Sequence, residues 1–412
     1  NSVFNRVDRG NWVEGLTTYL ANYYWHESVG DVSQARDQRR LFVRGYNLQV
    51  PPERDYAVAE FTRKRDERDN AIGYQKAAMV FHMLRQEIGE ETFWLSLKQL
   101  VARYTERHAD WIDVERIFSG TSGRDLRSFF AQWIEQAGAP SLSLARAAGR
   151  PLDDNAFQLD VTIAQSDRQF RLSIPLQIYM ENGREETFPV RISEVQQTVS
   201  LRLPARPTHV SLDPDAMVMR RIGRRLLPPV LNHYVTDQPR TVTLAFSDSP
   251  AIPHPYRDLL KRIEGQDSQK PELERTIVRR AGVDGLLPRE GSVLVLSDPE
   301  SREAMRSVLS THCGDRIRLR EQGFMVDGTL YEGGGTALLA SCHRKDLPES
   351  VMTVLYATTP QAASSVSRLL FFYGWNSFVV FRDGAVVTRG DWPVHDHAEE
   401  MEVQIDEAYP GR

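Results

Sequence analysis

The sequence predicts a multidomain α+β protein: a helical region over 1–145, a small β-sandwich over 150–225 and an α/β domain over 235–412. Three observations carry this. Apolar residues recur at helical spacing as far as Gly138 and Pro140, the period then drops to two, and continuous apolar strands finally alternate with helix-like segments. With 412 residues, 41% of them hydrophobic and 26% charged, the chain can bury two or three separate cores.

In the first region, "GNWVEGLTTYLANYY" places Trp12, Leu16, Tyr19, Leu20 and Tyr23 on one stripe and Glu14 away from it. The polar, proline-containing "NLQVPPERDYAVAEFTRKRDERDN" reads as loop and short irregular structure. Helical spacing returns at Tyr74, Ala77, Ala78, Phe81, Leu84 and Ile88 and stops at Gly89. It recurs at Phe93, Leu97, Leu100, Val101 and Tyr104, and again at Leu126, Phe129, Phe130, Trp133 and Ile134.

Strict alternation follows at Phe157, Leu159, Val161 and Ile163, and at Phe170, Leu172, Ile174, Leu176 and Ile178. The Asn-Gly of "MENGREE" makes a turn, Val199, Leu201 and Leu203 another strand, and "HVSLDPD" one more. Arg220, Arg221, Arg224 and Arg225, before Pro228 and Pro229, read as a linker. Beyond it, "TVTLAFS", "SVLVLSDP", "TALLASCH" and "VMTVLYATT" are strands, "ESREAMRSVLSTH" and "PQAASSVSRLLFFYG" helices, and "SFVVFRDGAVVTRG" a hairpin. That alternation favours a mainly parallel sheet.

Net charge is −5, so no global basic field points to nucleic acid, and no run of eighteen apolar residues spans a membrane. Cys313 and Cys342 could pair or stay free. There is no G-x-S-x-G. Gly333-Gly334-Gly335 lacks phosphate-loop spacing and reads as a turn. His395, Asp396, His397, Glu399 and Glu400 have metal-ligand chemistry but read as a solvated tail. His26-Glu27 begins like H-E-x-x-H, but Gly30 stands where the second histidine belongs, and His82 reads as a structural or exposed side chain. Glu14 taken alone is a solvated acid near a helix N-terminus.

Three segments in order, "GNWVEGLTTYLANYY", "GYQKAAMVFHMLRQEIGEETFWLSLKQLV" and "SGRDLRSFFAQWIEQAGAP", together resemble the aminopeptidase N family of zinc metallopeptidases, the gluzincins that include leukotriene hydrolase. The resemblance covers about 1–220 and makes the first region the helical half of a metallopeptidase catalytic domain, followed by a sandwich. It implies that Glu14, in Trp12-Val13-Glu14-Gly15, is the third zinc ligand. It further implies that Tyr74, in Tyr74-Gln75-Lys76-Ala77-Ala78, donates to the oxyanion. Both segments depart from the family: the first is one residue shorter than Trp-Leu-Asn-Glu-Gly, and Ala77 stands in place of glycine.

No H-E-x-x-H occurs in the 412 residues. The expectation is therefore a C-terminal portion of a zinc aminopeptidase that begins just after the zinc motif. Its implied cofactor is zinc, its substrate a peptide, and its partner the missing N-terminal part of the same protein. Alone it is expected to be inactive, and a periplasmic or cell-envelope location is favoured over a cytoplasmic one. The alternative is a non-catalytic binding or scaffold protein that kept the fold. If Glu14 and Tyr74 serve one centre, their polar ends should lie within roughly 10 Å of each other.

Overall fold

A computed structural model describes residues 2–152, 155–166, 168–245, 254–268, 275–280, 285–392 and 402–407. The opening apolar stripe winds one helical rod: Trp12–Thr18 (α1), a π-helical stretch Tyr19–Tyr24, and a last α-turn to Ser28. Trp12, Gly15, Thr18, Tyr19 and Tyr23 are buried, while Leu16 and Leu20 are only partly covered. The wider π turn rotates the stripe relative to ideal 3.6-residue spacing.

Val32–Gln49 (α2) starts at Asp31, whose carboxylate accepts the Gln34 N–H. The stretch read as loop from Asn47 therefore begins inside a helix. Asn47 is held there because its carboxamide donates to the Val43 and Arg220 carbonyls and accepts from Ile222 N–H. A π-helical segment, Ala71–Lys76, leads into Ala77–Ile88 (α3), followed by Glu90–Tyr104 (α4), Trp111–Ser122 (α5) and Arg127–Trp133 (α6).

Six strands follow: Ser141–Pro151 (β1), Phe157–Ser166 (β2), Leu172–Met180 (β3), Glu185–Ile192 (β4), Gln196–Leu203 (β5) and Pro207–Leu212 (β6). They form two sheets, β1 paired with β2 and β2 with β5 in one, β4 with β3 and β3 with β6 in the other. Leu159, Val161 and Ile163 of one sheet share a core with Ile174, Leu176 and Ile178 of the other, and the same core runs on into the helices. The C-terminal residues assigned by sequence to the α/β domain over 235–412 return here instead. Glu402–Gln404 pairs with β6, and Asp406–Glu407 with β1. The chain accordingly divides into one unit of 1–222 with 395–412, and a second of 223–394.

The arginines read as a linker are committed inside their own units. Arg220 pairs with the fully buried Asp213, and Arg221 with Asp55 at 2.8 Å, while Arg224 donates to Thr236 Oγ1 at 2.7 Å. Asp55 also accepts from Tyr46 and from Gly138 N–H. Against this cluster lies Lys76, fully buried, its Nζ 5.3 Å from the Tyr46 ring centroid and without a hydrogen-bond partner. Burial pushes its pKa down to about 8, against a smaller upward pull from Asp55.

The unfolded chain holds that proton up to the ordinary lysine value of 10.5, so between pH 8 and 10.5 it binds more protons than the native state. Unfolding free energy should therefore rise with pH across this window, by at most about 3 kcal/mol. Chemical denaturation of the protein and of Lys76→Met at both ends of the window should show the rise in the former and a flatter profile in the latter. Equal profiles would mean that Lys76 keeps its charge in the fold.

In the second unit a seven-stranded sheet is built on Arg240–Ala245 (β7), Ile277–Arg280 (β8), Ser292–Ser297 (β9), Thr336–His343 (β13), Val351–Ala357 (β14), Phe378–Arg382 (β15) and Ala385–Gly390 (β16), in the order β8-β7-β9-β14-β13-β15-β16. A separate three-stranded antiparallel sheet comprises Ile317–Arg320 (β10), Gly323–Val326 (β11) and Thr329–Glu332 (β12). In the large sheet the first four strands run parallel and the last three join antiparallel, so it is mixed rather than mainly parallel.

His254–Ser268 (α7) and Pro360–Ser367 (α9) contribute to one apolar layer of this unit, and Arg302–Cys313 (α8) to another. That two-sided cover is why β9, β13 and β14 read as unbroken apolar runs. Cys313 of α8 and Cys342 of β13 form a disulfide, with Cα atoms 5.4 Å apart.

Candidate active site

Glu14 stands on the first turn of α1, which is fixed at four points. Gly10, at φ 90°, lets the chain enter beside the Ala59 carbonyl, where a Cβ would come within 2.5 Å of the oxygen. Asn11 N–H then donates to the Phe61 carbonyl at 2.7 Å, and the buried Trp12 indole donates to the Ala109 carbonyl at 2.8 Å. Finally, Gly15 lies flat on α3, where a Cβ at this position would meet the Ala77 Cβ at 2.4 Å. Glycine after the glutamate and alanine after the lysine thus bring two backbones into contact. Their neighbours Glu14 and Tyr74 are carried along.

Tyr74 is pinned on either side. Gly73 packs on the Phe61 ring, and Gln75 lies against Gly45 of α2. The Tyr74 ring itself sits edge-on to Phe61, with centroids 5.6 Å apart. Its hydroxyl lies near the Glu14 carboxylate: partial burial, then the negative charge of Glu14, then a weaker polar interaction with the same side chain raise the phenol pKa. Across sixty residues of sequence, the fold places a half-buried carboxylate against a phenol that keeps its proton. A protonated phenol beside a carboxylate can donate to an oxygen that gains charge.

The other sequence candidates are not brought here. Glu27 pairs with the buried Arg85 at 2.6 Å and accepts from the Tyr23 hydroxyl, so His26-Glu27 serves a structural ion pair. His82 is buried in the core, 5.0 Å from the Tyr23 ring, with neither ring nitrogen hydrogen-bonded. Burial, with Arg39 and Arg85 nearby, lowers its pKa well below the usual value. Gly333–Gly335 turns between β12 and β13, with Thr336 N–H closing on the Gly333 carbonyl. His395, Asp396, His397, Glu399 and Glu400 lie outside the described residues. Sequence reasoning missed Phe61, which sits in the stretch read as loop. Its only signal is that it is the one phenylalanine of that stretch.

Zinc in catalytic sites takes three protein ligands and keeps one position open. Among the described residues no group of three or more His, Cys, Asp or Glu side chains converges, and at this site the chain offers Glu14. By donor count alone these residues do not fit the ion.

No protein-family profile matches the chain. It is similar to aminopeptidase N of Lactococcus lactis subsp. lactis, 32% identical over 102 residues, which are 25% of this chain and 11% of that protein. It is also similar to aminopeptidase 2, mitochondrial, of Saccharomyces cerevisiae, 23% identical over 211 residues, 47% of this chain and 21% of that one. Among solved structures, Legionella pneumophila aminopeptidase A in complex with aspartic acid aligns with 75% of this chain and 32% of its own, at 19% identity and a TM-score of 0.41. The matched stretch is at most about a fifth of the length of these two curated relatives.

Proposed function

We propose, from this chain's assignment to the aminopeptidase N family, that it carries one half of a peptidase centre acting on the N-terminal residues of peptides. The observation that supports this is the meeting of Glu14 with Tyr74 across the Gly15–Ala77 contact. Glu14 is the carboxylate ligand of that centre and Tyr74 the donor to the developing oxyanion. The two histidines and the general base of H-E-x-x-H are not among these 412 residues and must come from other polypeptide. No step through the metal follows from this chain alone.

These 412 residues by themselves should therefore fail to retain stoichiometric zinc through dialysis and should not hydrolyse aminoacyl-arylamides. Metal analysis finding one tightly held zinc per chain would overturn the half-centre. A non-catalytic binding protein is the second reading, favoured by the lack of H-E-x-x-H within the chain. Translating the coding sequence around this chain separates the two: H-E-x-x-H on the same polypeptide supports the peptidase, and its absence supports the binding protein.

The location we propose is an oxidising one, the periplasm or cell envelope. The Cys313–Cys342 disulfide supports it, because such bonds persist where thiols are not kept reduced. Alkylation of protein from its native host, quenched with acid at lysis and followed by peptide mapping, should find Cys313 and Cys342 unlabelled until a reductant is added. Both labelled at lysis would place the protein in a reducing compartment.

A further inference from the structure

Where the helices meet the sandwich, a cleft runs between the end of α3, α6 and the strands β3 and β4. Its inner lobe, about 190 Å³, is walled mainly by apolar side chains, among them Met83, Phe129, Trp133 and Pro175. Its outer lobe, about 570 Å³, is polar and shares Glu87, Phe129, Arg171, Leu172 and Ser173 with the inner one.

The charges around the outer lobe are unevenly committed. Glu87 is paired with Arg124, and Asp125 with Arg127 at 2.6 Å, which pulls the Asp125 carboxyl down to about 2. Arg171 and Arg191 have no carboxylate partner among the described residues. Ser173 faces Arg191 across the β3–β4 ladder, so Arg171, two residues before Ser173, projects from the same face as Arg191.

Both backbones are held in place. The Gln132 carboxamide of α6 accepts the Arg171 N–H at 2.8 Å and donates to its carbonyl at 3.1 Å, while Gln197 Nε2 donates to the Arg191 carbonyl at 2.9 Å. Two guanidinium groups without counter-ions thus stand at the mouth of an apolar lobe, on a clamped backbone. A planar guanidinium binds a carboxylate through paired N–H donors, and an apolar lobe favours a ligand whose body leaves water.

We propose that this cleft binds an apolar carboxylate, its head between Arg171 and Arg191 and its body in the lobe beside Met83 and Trp133. The same chemistry is offered by a peptide C-terminus ending in an apolar residue and by a free medium-chain fatty acid.

Calorimetry separates them with three probes: N-acetyl-leucyl-leucine, its C-terminal amide, and octanoate. The acetyl group removes the free amine, so the peptide probe is not a substrate for the proposed peptidase. Expected is binding of the peptide acid with the amide at least about tenfold weaker, and a similar loss for Arg171→Gln and for Arg191→Gln. Both arginines are exposed, so these variants keep their fold, and Arg103→Gln on α4 controls for the loss of a charge elsewhere. Octanoate binding without the peptide acid supports the site and assigns it to fatty acids. Equal affinity for acid and amide, unchanged affinity in the arginine variants, an equal loss in Arg103→Gln, or no binding of any probe overturns it.

Discussion

If the same polypeptide carries an H-E-x-x-H segment, Tyr74→Phe made in that protein should lower kcat and kcat/KM together by about a hundredfold or more, with zinc content unchanged. The substitution removes one hydroxyl and leaves the ring, whose edge-on contact with Phe61 and whose place between Gly73 and Gln75 do not involve that oxygen. On the proposed reading, what is lost is a donor that matters most as charge develops on the substrate oxygen. Such a loss acts on the transition state and spares the ground state, so KM should move little. A Phe variant that keeps most of its kcat would reduce Tyr74 to a packing aromatic.

Much of this arrangement was legible in the sequence, and the exceptions have physical causes. Periodicity located α1, α3, α4 and α6, because each lays an apolar stripe on one core. It located β2, β3 and β5, because each alternates between core and solvent. It did not single out α2, whose sequence "VSQARDQRRLFVRGYNLQ" buries Arg39 and Asn47 through hydrogen bonds rather than apolar contact. Nor did it give β1, where "SLSLARAAGRP" contains no β-branched residue and is held by pairing with β2. The return of Glu402–Glu407 to the sandwich is long-range pairing that no local pattern encodes. Glu14 and Tyr74 could be named from motif resemblance alone. Why they meet could not, since the Gly15–Ala77 contact and the support from Phe61 are tertiary facts. The full burial of Lys76 is of the same kind, for a lysine in a helix carries no local mark of what covers it.

Phe61→Ala should cost about 3–5 kcal/mol of unfolding free energy and should also disturb the site. The ring is buried, 1% exposed, and it fills the space between Gly73 and the Tyr74 ring. Truncation leaves a cavity there that glycine cannot fill, since Gly73 has no side chain to relax into it. The Phe61 carbonyl is backbone and keeps its bond from Asn11, so the entry to α1 and the position of Glu14 should survive. Tyr74 should not, because one of its two faces of support is gone and its hydroxyl can swing away from Glu14. If the same polypeptide carries an H-E-x-x-H segment, kcat of that protein should therefore fall without loss of zinc, as in Tyr74→Phe but with lowered stability as well. Phe61→Leu, which refills part of the volume, should recover much of the stability and less of kcat, because the aromatic edge contact stays missing. Chemical denaturation showing a loss below about 1 kcal/mol for Phe61→Ala, with kcat intact, would mean that Tyr74 is held by the Gly15–Ala77 contact and the Gln75–Gly45 packing alone.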